Sequence, residues 1–89
     1  MPARDMTIIN KLGLHARAAA KLVSVAGRYT AEIRVRRENR AVNGKSIMGL
    51  MMLAAGKGTV ITVEAEGADA EAALDAIEAL ISNRFQEEE

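Results

Sequence analysis

Three observations predict an α+β chain folded as an open-faced β-sandwich: a four-stranded, mostly antiparallel sheet covered on one face by three helices. Short segments with apolar residues at every second position interchange with segments in which they recur every three or four, in the order β-α-β-β-α-β-α. Each strand keeps one dry face, and three one-faced helices are available to cover it. The apolar share, 49% of 89 residues, is mainly alanine and aliphatics with one Tyr and one Phe. Helices lined with alanine can lie close to a sheet without aromatic fillers, and this length suits one domain over residues 1–89 with a thin core.

The first strand is expected over Met6 to Asn10, turning through Lys11, Leu12 and Gly13. Ala16 to about Gly27 reads as a helix, because Ala19, Leu22, Val23 and Ala26 share one face and Gly27 stops it. Glu32 to Arg36 alternates, with Ile33 and Val35 inward, and Glu38-Asn39 turns it into a short strand from Arg40 to Asn43. Ser46 is placed to cap a helix from Ile47 to about Ala55, closed by Gly56-Lys57-Gly58. Thr59 to Glu66 alternates again. After Gly67, Asp69 is placed to cap a last helix with Ala70, Ala73, Leu74, Ile77 and Ile81 on its apolar stripe and Glu71, Asp75 and Glu78 off it, on a solvated face. The tail from Gln86 to Glu89 is expected to fray.

Composition excludes several functions. No cysteine and one histidine leave no disulfide framework and no basis for a protein-only transition-metal site. No segment reads as a signal peptide or membrane span, so a cytoplasmic location and no membrane partner are the default. The zero net charge hides an imbalance: residues 1–45 hold ten Lys/Arg and three Asp/Glu, residues 46–89 two and nine. Either folding mixes the halves, or a basic surface of Arg17, Lys21, Lys45 and Lys11 surrounds His15 and steers acidic partners. Nucleic acid is a poor fit, since the basic residues lack interleaved aromatics. No serine has a nucleophile-elbow context, and Lys45-Ser46 lacks the upstream glycine of a P-loop. No cofactor is called for.

His15 follows Gly13-Leu14 and precedes the alanine-rich helix, with Arg17 two residues on. Unpaired amides and the positive end of a helix dipole favour an anion there, and a guanidinium can fork to phosphate oxygens. An imidazole offers a nitrogen lone pair without needing a strong base. These residues suit a phosphoryl carrier, with His15 as acceptor, Arg17 as clamp and the amides of Ala16, Arg17 and Ala18 as cradle; they suit an ordinary helix-cap residue equally, and the local sequence leaves both open. Ser46 is first an N-cap, though a phosphoserine would also suit a helix N-terminus. The next helix has almost no polar side: Leu50 and Leu53 can face the core, but Ile47, Met48 and Met51 cannot all do so as well, leaving core packing or an adaptable docking patch.

Gly-Leu-His-Ala-Arg at 13–17, Asn-Gly-Lys-Ser-Ile-Met-Gly at 43–49, Lys57-Gly58 and Glu66-Gly67 together resemble the HPr family, the histidine phosphocarriers of the bacterial phosphoenolpyruvate-dependent phosphotransferase system. The resemblance spans nearly the whole chain. It implies a cytoplasmic, monomeric carrier rather than an enzyme, taking a phosphoryl group from enzyme I on Nδ1 of His15 and giving it to an enzyme IIA domain. It further implies phosphate coordination by Arg17, modification of Ser46 by an HPr kinase/phosphorylase in some bacteria, and partner docking by Ile47, Met48 and Met51. Ala18 departs from the family, which usually has proline there; proline suits the first helical turn, where no N–H is needed. Service in sugar uptake and in a regulatory, nitrogen-related branch both stay open. So do a purely regulatory module using Ser46 and a self-sufficient phosphatase or mutase, although the latter lacks a second acid/base residue near His15.

Overall fold

A computed structural model describes residues 2–87. Strands β1 (Ala3–Thr7), β2 (Glu32–Arg37), β3 (Arg40–Asn43) and β4 (Val60–Glu66) form one sheet in the order β1-β4-β2-β3, with every pair antiparallel. Helices α1 (Ala16–Ala26), α2 (Ile47–Met52) and α3 (Ala70–Ser82) follow in the expected order, and a short 3-10 turn, Arg84–Gln86, comes last. The period-2 pattern decides which side is dry: Ile33 and Val35 of β2 and Ile61, Val63 and Ala65 of β4 are buried, with charged or polar neighbours between them. Against that face lie Ala18, Ala19, Leu22 and Ala26 of α1, Leu50 of α2, and Ala73, Leu74, Ile77 and Ile81 of α3. Val23, expected on the α1 stripe, is only half-buried.

β1 begins three residues before the expected Met6. The apolar signal of Met6, Ile8 and Ile9 hides that Arg4 and Asp5 have partners across the fold. Asp5 Oδ1 accepts from Thr62 Oγ1 at 2.7 Å, and Arg4 reaches Glu71, Asp75 and Glu78 of α3 at 2.8–2.9 Å. Those three carboxylates, read as a merely solvated face, converge on one cation that ties the edge strand to α3. Asn10 turns inward rather than extending the strand.

α2 is also shorter than expected, ending at Met52 with Leu53 as its cap. Its last carbonyls are taken from outside: Arg37 Nη1 donates to the Leu53 and Ala54 oxygens at 2.8 and 3.0 Å, and Arg40 Nη1 to Met52 at 2.7 Å. Ala54 then sits at φ +52°, in the left-handed region. Asp69 precedes α3 but makes no side-chain cap. Its carboxylate accepts instead from the amides of Thr30 and Ala31, both at 2.8 Å, because the turn between α1 and β2 presents those donors to it.

The expectation of a frayed tail from Gln86 is corrected for two residues. Arg84, Phe85 and Gln86 occupy left-handed backbone (φ +54°, +53° and +66°), with Phe85 fully buried and Glu87 hydrogen-bonded to the rest of the fold. Burial of the one phenylalanine holds this turn against its conformational cost. Glu88 and Glu89 lie outside the described residues.

Candidate functional site

His15 stands at the N-cap of α1. Its backbone is extended (φ −78°, ψ −179°), and its Nδ1 accepts the Arg17 amide N–H at 3.3 Å. The loop before it is pressed onto the chain that follows α2. Leu14 N–H donates to the Ala55 carbonyl at 2.8 Å, and Gly13 has φ +69°. A Cβ at Gly13 would lie 2.6 Å from that same oxygen, so both conformation and space demand glycine. A glycine turn, a helix cap and a junction with α2 therefore fix where the imidazole is.

The hydrogen bonds also fix its tautomer. A backbone amide can only donate, so Nδ1 holds the lone pair and Nε2 the proton. Nε2 meets Glu87 Oε2 at 2.6 Å, while Glu87 Oε1 accepts from Asn10 Nδ2 at 3.1 Å. The same Asn10 nitrogen donates to the Gly13 carbonyl at 2.8 Å, linking the turn to the tail. Asn10 is wholly buried, and its Oδ1 has no partner among the described residues. Burial pushes the Glu87 carboxyl up, but hydrogen bonds from His15 and Asn10 and the charge of Lys21 outweigh it and hold the group below its ordinary range. The imidazole keeps access to solvent, its side chain being 28% exposed.

The first intrahelical bond of α1 runs from Ala19 N–H to the His15 carbonyl at 2.8 Å, which leaves the amides of Ala16, Arg17 and Ala18 without an acceptor inside the helix. An anion joined to Nδ1 would meet these donors and the positive end of the helix. Ala16 and Arg17 are exposed, whereas the Ala18 side chain is packed in the core. The Arg17 side chain joins none of the ion pairs or hydrogen bonds described for residues 2–87, so its guanidinium is available to a ligand.

The expected basic surface is only partly assembled. Lys11 and Arg17 are exposed near His15 in sequence, but Lys21 Nζ donates to the Phe85 carbonyl at 2.6 Å. Lys45 Nζ donates to the Tyr29 carbonyl at 2.7 Å, beyond the far end of an 11-residue helix that is roughly 16 Å long. The fold thus takes Lys45 away from His15.

Ser46 caps α2 as expected, its Oγ accepting from the Gly49 amide at 3.0 Å. Ile47, Met48 and Met51 are exposed at 41%, 72% and 42%, while Leu50 and Leu53 are buried. Met52 and Leu12 are exposed too, and sequence reasoning did not single them out. It also missed Asn10 and Glu87. Asn10 looked like a strand end and Glu87 like one of three equivalent tail glutamates; neither carries a local signal for contacts that join Glu87 to Asn10 and His15 across 77 and 72 residues.

The chain is similar to known proteins over its whole length. The family described as "PTS HPr component phosphorylation site" matches residues 2–83. The chain is 60% identical over 90 residues to phosphocarrier protein HPr of Pseudomonas aeruginosa and 56% identical over 89 to that of Cupriavidus necator, with 100% of both chains covered in each case. In three dimensions it is similar to crystalline HPr-C-His of Thermoanaerobacter tengcongensis, with a TM-score of 0.96, 44% identity and 100% of both chains covered.

Proposed function

The chain belongs to the HPr family of phosphocarriers of the phosphotransferase system, and from that premise we propose that His15 takes a phosphoryl group on Nδ1 from phosphorylated enzyme I and passes it to an enzyme IIA domain. The single observation that carries this reading is the direction of the Nδ1 lone pair, toward the Arg17 amide at the start of α1. Attack on phosphorus replaces that ring–amide hydrogen bond by contacts from the same amide and its neighbours to phosphoryl oxygens. The Arg17 guanidinium adds a charge-assisted clamp.

Helix-terminus stabilisation of about 0.3–2 kcal/mol suits a carrier, which has to hold its group and then release it. The chain is a covalent relay intermediate and turns over no small molecule by itself. It works as a monomer in the cytoplasm, in sugar uptake or its regulation. Ala18, in place of the family's usual proline, leaves one more N–H in the cradle, and transfer survives this change.

Partners dock on the exposed Ile47, Met48 and Met51. Methionine is flexible and polarizable and fits several partner surfaces. Ser46 is a second modification site, for an HPr kinase/phosphorylase where the cell has one; a phosphate there would set a negative charge beside the docking helix.

The test is to incubate the purified chain with phosphoenolpyruvate and enzyme I and weigh it before and after brief acid treatment, with His15→Ala alongside. One acid-labile phosphoryl group, absent from the variant, is expected. No label, with enzyme I active on another carrier, overturns the proposal.

A further inference from the structure

We infer that α2 carries an oxidation site: the exposed thioethers of Met48, Met51 and Met52 take oxygen from hydrogen peroxide, and the resulting sulfoxides weaken docking without disturbing the fold. The site itself stands on the helix alone; its effect on docking rests on the surface proposed above.

The apolar residues of this segment are divided by their chemistry. Leu50 and Leu53, saturated hydrocarbons inert to peroxide, are buried, while Met48, Met51 and Met52 stand in solvent at 72%, 42% and 62% exposure. Spacings of three and four residues put the three sulfurs on one side of the helix. The chain has no cysteine and no tryptophan, so thioether sulfur is the most readily oxidised group it offers. Met6 of β1, by contrast, is packed in the core at 4% exposure, and Met1 lies outside the described residues. α2 is held in place by groups that the reaction leaves alone. Ser46 Oγ caps its start, and Arg37 and Arg40 take the carbonyls of Met52, Leu53 and Ala54 at its end. Oxidation therefore alters a surface and not a core.

A sulfur lone pair attacks one oxygen of the peroxide, the O–O bond breaks, and that oxygen passes to sulfur while its proton joins the departing hydroxide as water. Sulfur is oxidised by two electrons and the peroxide is reduced by two. Each event turns a flexible apolar side chain into a polar one. A partner that buries the patch then has to strip water from a sulfoxide oxygen, at a cost wherever no donor meets it. The effect reaches transfer through position. The Ala55 carbonyl just past α2 accepts the Leu14 amide at 2.8 Å, so a partner seated over the His15 ring lies beside this helix. A methionine sulfoxide reductase restores the thioether, removing the oxygen as water while a dithiol is oxidised to a disulfide.

The experiment treats the native chain with hydrogen peroxide and maps the added oxygen by peptide mass. Phosphorylation of His15 by enzyme I and phosphoenolpyruvate is then measured as kcat and KM for the chain. Oxygen is expected on Met48, Met51 and Met52 before Met6, with KM raised by on the order of tenfold, kcat unchanged and the denaturant midpoint unmoved. Methionine sulfoxide reductase is expected to return KM to its starting value. A chain with Met48→Leu, Met51→Leu and Met52→Leu is compared with its own untreated sample, and peroxide is expected to leave its KM where it stood. Oxidation of Met6 as fast as the other three overturns the site. Full oxidation of the three with KM unchanged overturns its effect on docking. An untreated native chain that takes no phosphoryl group overturns the carrier reading instead, while the peptide masses still decide the oxidation site.

Discussion

Two helices of this protein begin in the same way and are used differently. Ser46 caps α2 by accepting the amide three residues on, at 3.0 Å, and His15 caps α1 by accepting the amide two residues on, at 3.3 Å. For Ser46 the cap completes the local structure, because the hydroxyl satisfies an amide that would otherwise lack an acceptor. For His15 the cap is half of the arrangement, since an imidazole has a second nitrogen and that nitrogen is held from the far end of the chain by Glu87. Local capping orients a side chain, and a distant partner sets its protonation pattern. The same N-cap position can therefore be structural or chemical, depending on whether the cap residue has another face to offer.

The comparison breaks most severely if the tail is released. Phe85→Ala removes the buried anchor and is expected to cost about 3–5 kcal/mol in denaturant unfolding. In the fraction that stays folded it is expected to free Glu87 from His15 and leave the Ser46 cap unchanged, as amide and ring spectra would show. A stable variant with the His15–Glu87 contact intact would mean that the tail docks without its phenylalanine.

Ser46→Ala tests the other helix start. Loss of its cap is expected to cost about 1 kcal/mol, while phosphorylation on His15 proceeds as in the native chain. A loss of labelling would tie the two helix starts together in a way that the separate hydrogen bonds do not.

The far end of α2 supplies a smaller effect of opposite sign. Ala54 holds φ +52°, a conformation that favours glycine, and Ala54→Gly is expected to stabilise the protein by about 0.5–1 kcal/mol. Equal or lower stability would show that the contacts from Arg37 to this turn already offset the strain.

The third helix sharpens the comparison through pH. Asp69 stands where a cap would, yet its carboxylate serves Thr30 and Ala31, and those amide bonds outweigh burial to hold it below the ordinary aspartate range. A group depressed in the folded state contributes stability above its unfolded value and loses it as the pH falls through its folded one. Glu87, also depressed, acts in the same direction. Stability is expected to decline below about pH 4, and Asp69→Asn to flatten part of that decline in acid unfolding curves. An unchanged acid limb would remove Asp69 from the account.

The parts that were legible are those whose signal is local. α1, β2, β3 and the start of α2 could be placed to within a residue or two because periodicity, glycine stops and the Ser46 cap all lie in the segments they describe. β1 was displaced because its first residues are charged, and Arg4 becomes a strand residue only through Glu71, Asp75 and Glu78 on α3. Lys45 reads as a neighbour of His15 when charges are counted along the chain, but its ammonium ends on the Tyr29 carbonyl. Of the site itself, His15, the glycine turn and the exposed amides could be read directly. Asn10 and Glu87 could not.

Taken alone, the order of residues determined the alternation that makes each strand one-faced, the stripes that turn three helices toward the sheet, and the placing of an imidazole at a helix start next to an arginine. Each of these depends on neighbours within a few positions, where covalent geometry and hydrogen-bond spacing leave few choices. Only the tertiary structure decided which cations stay near His15, which carboxylates converge on Arg4, and which ring nitrogen carries the proton. Those outcomes depend on side chains brought together from up to 74 positions apart, and local propensity contains no information about contacts that exist only after the chain has closed on itself.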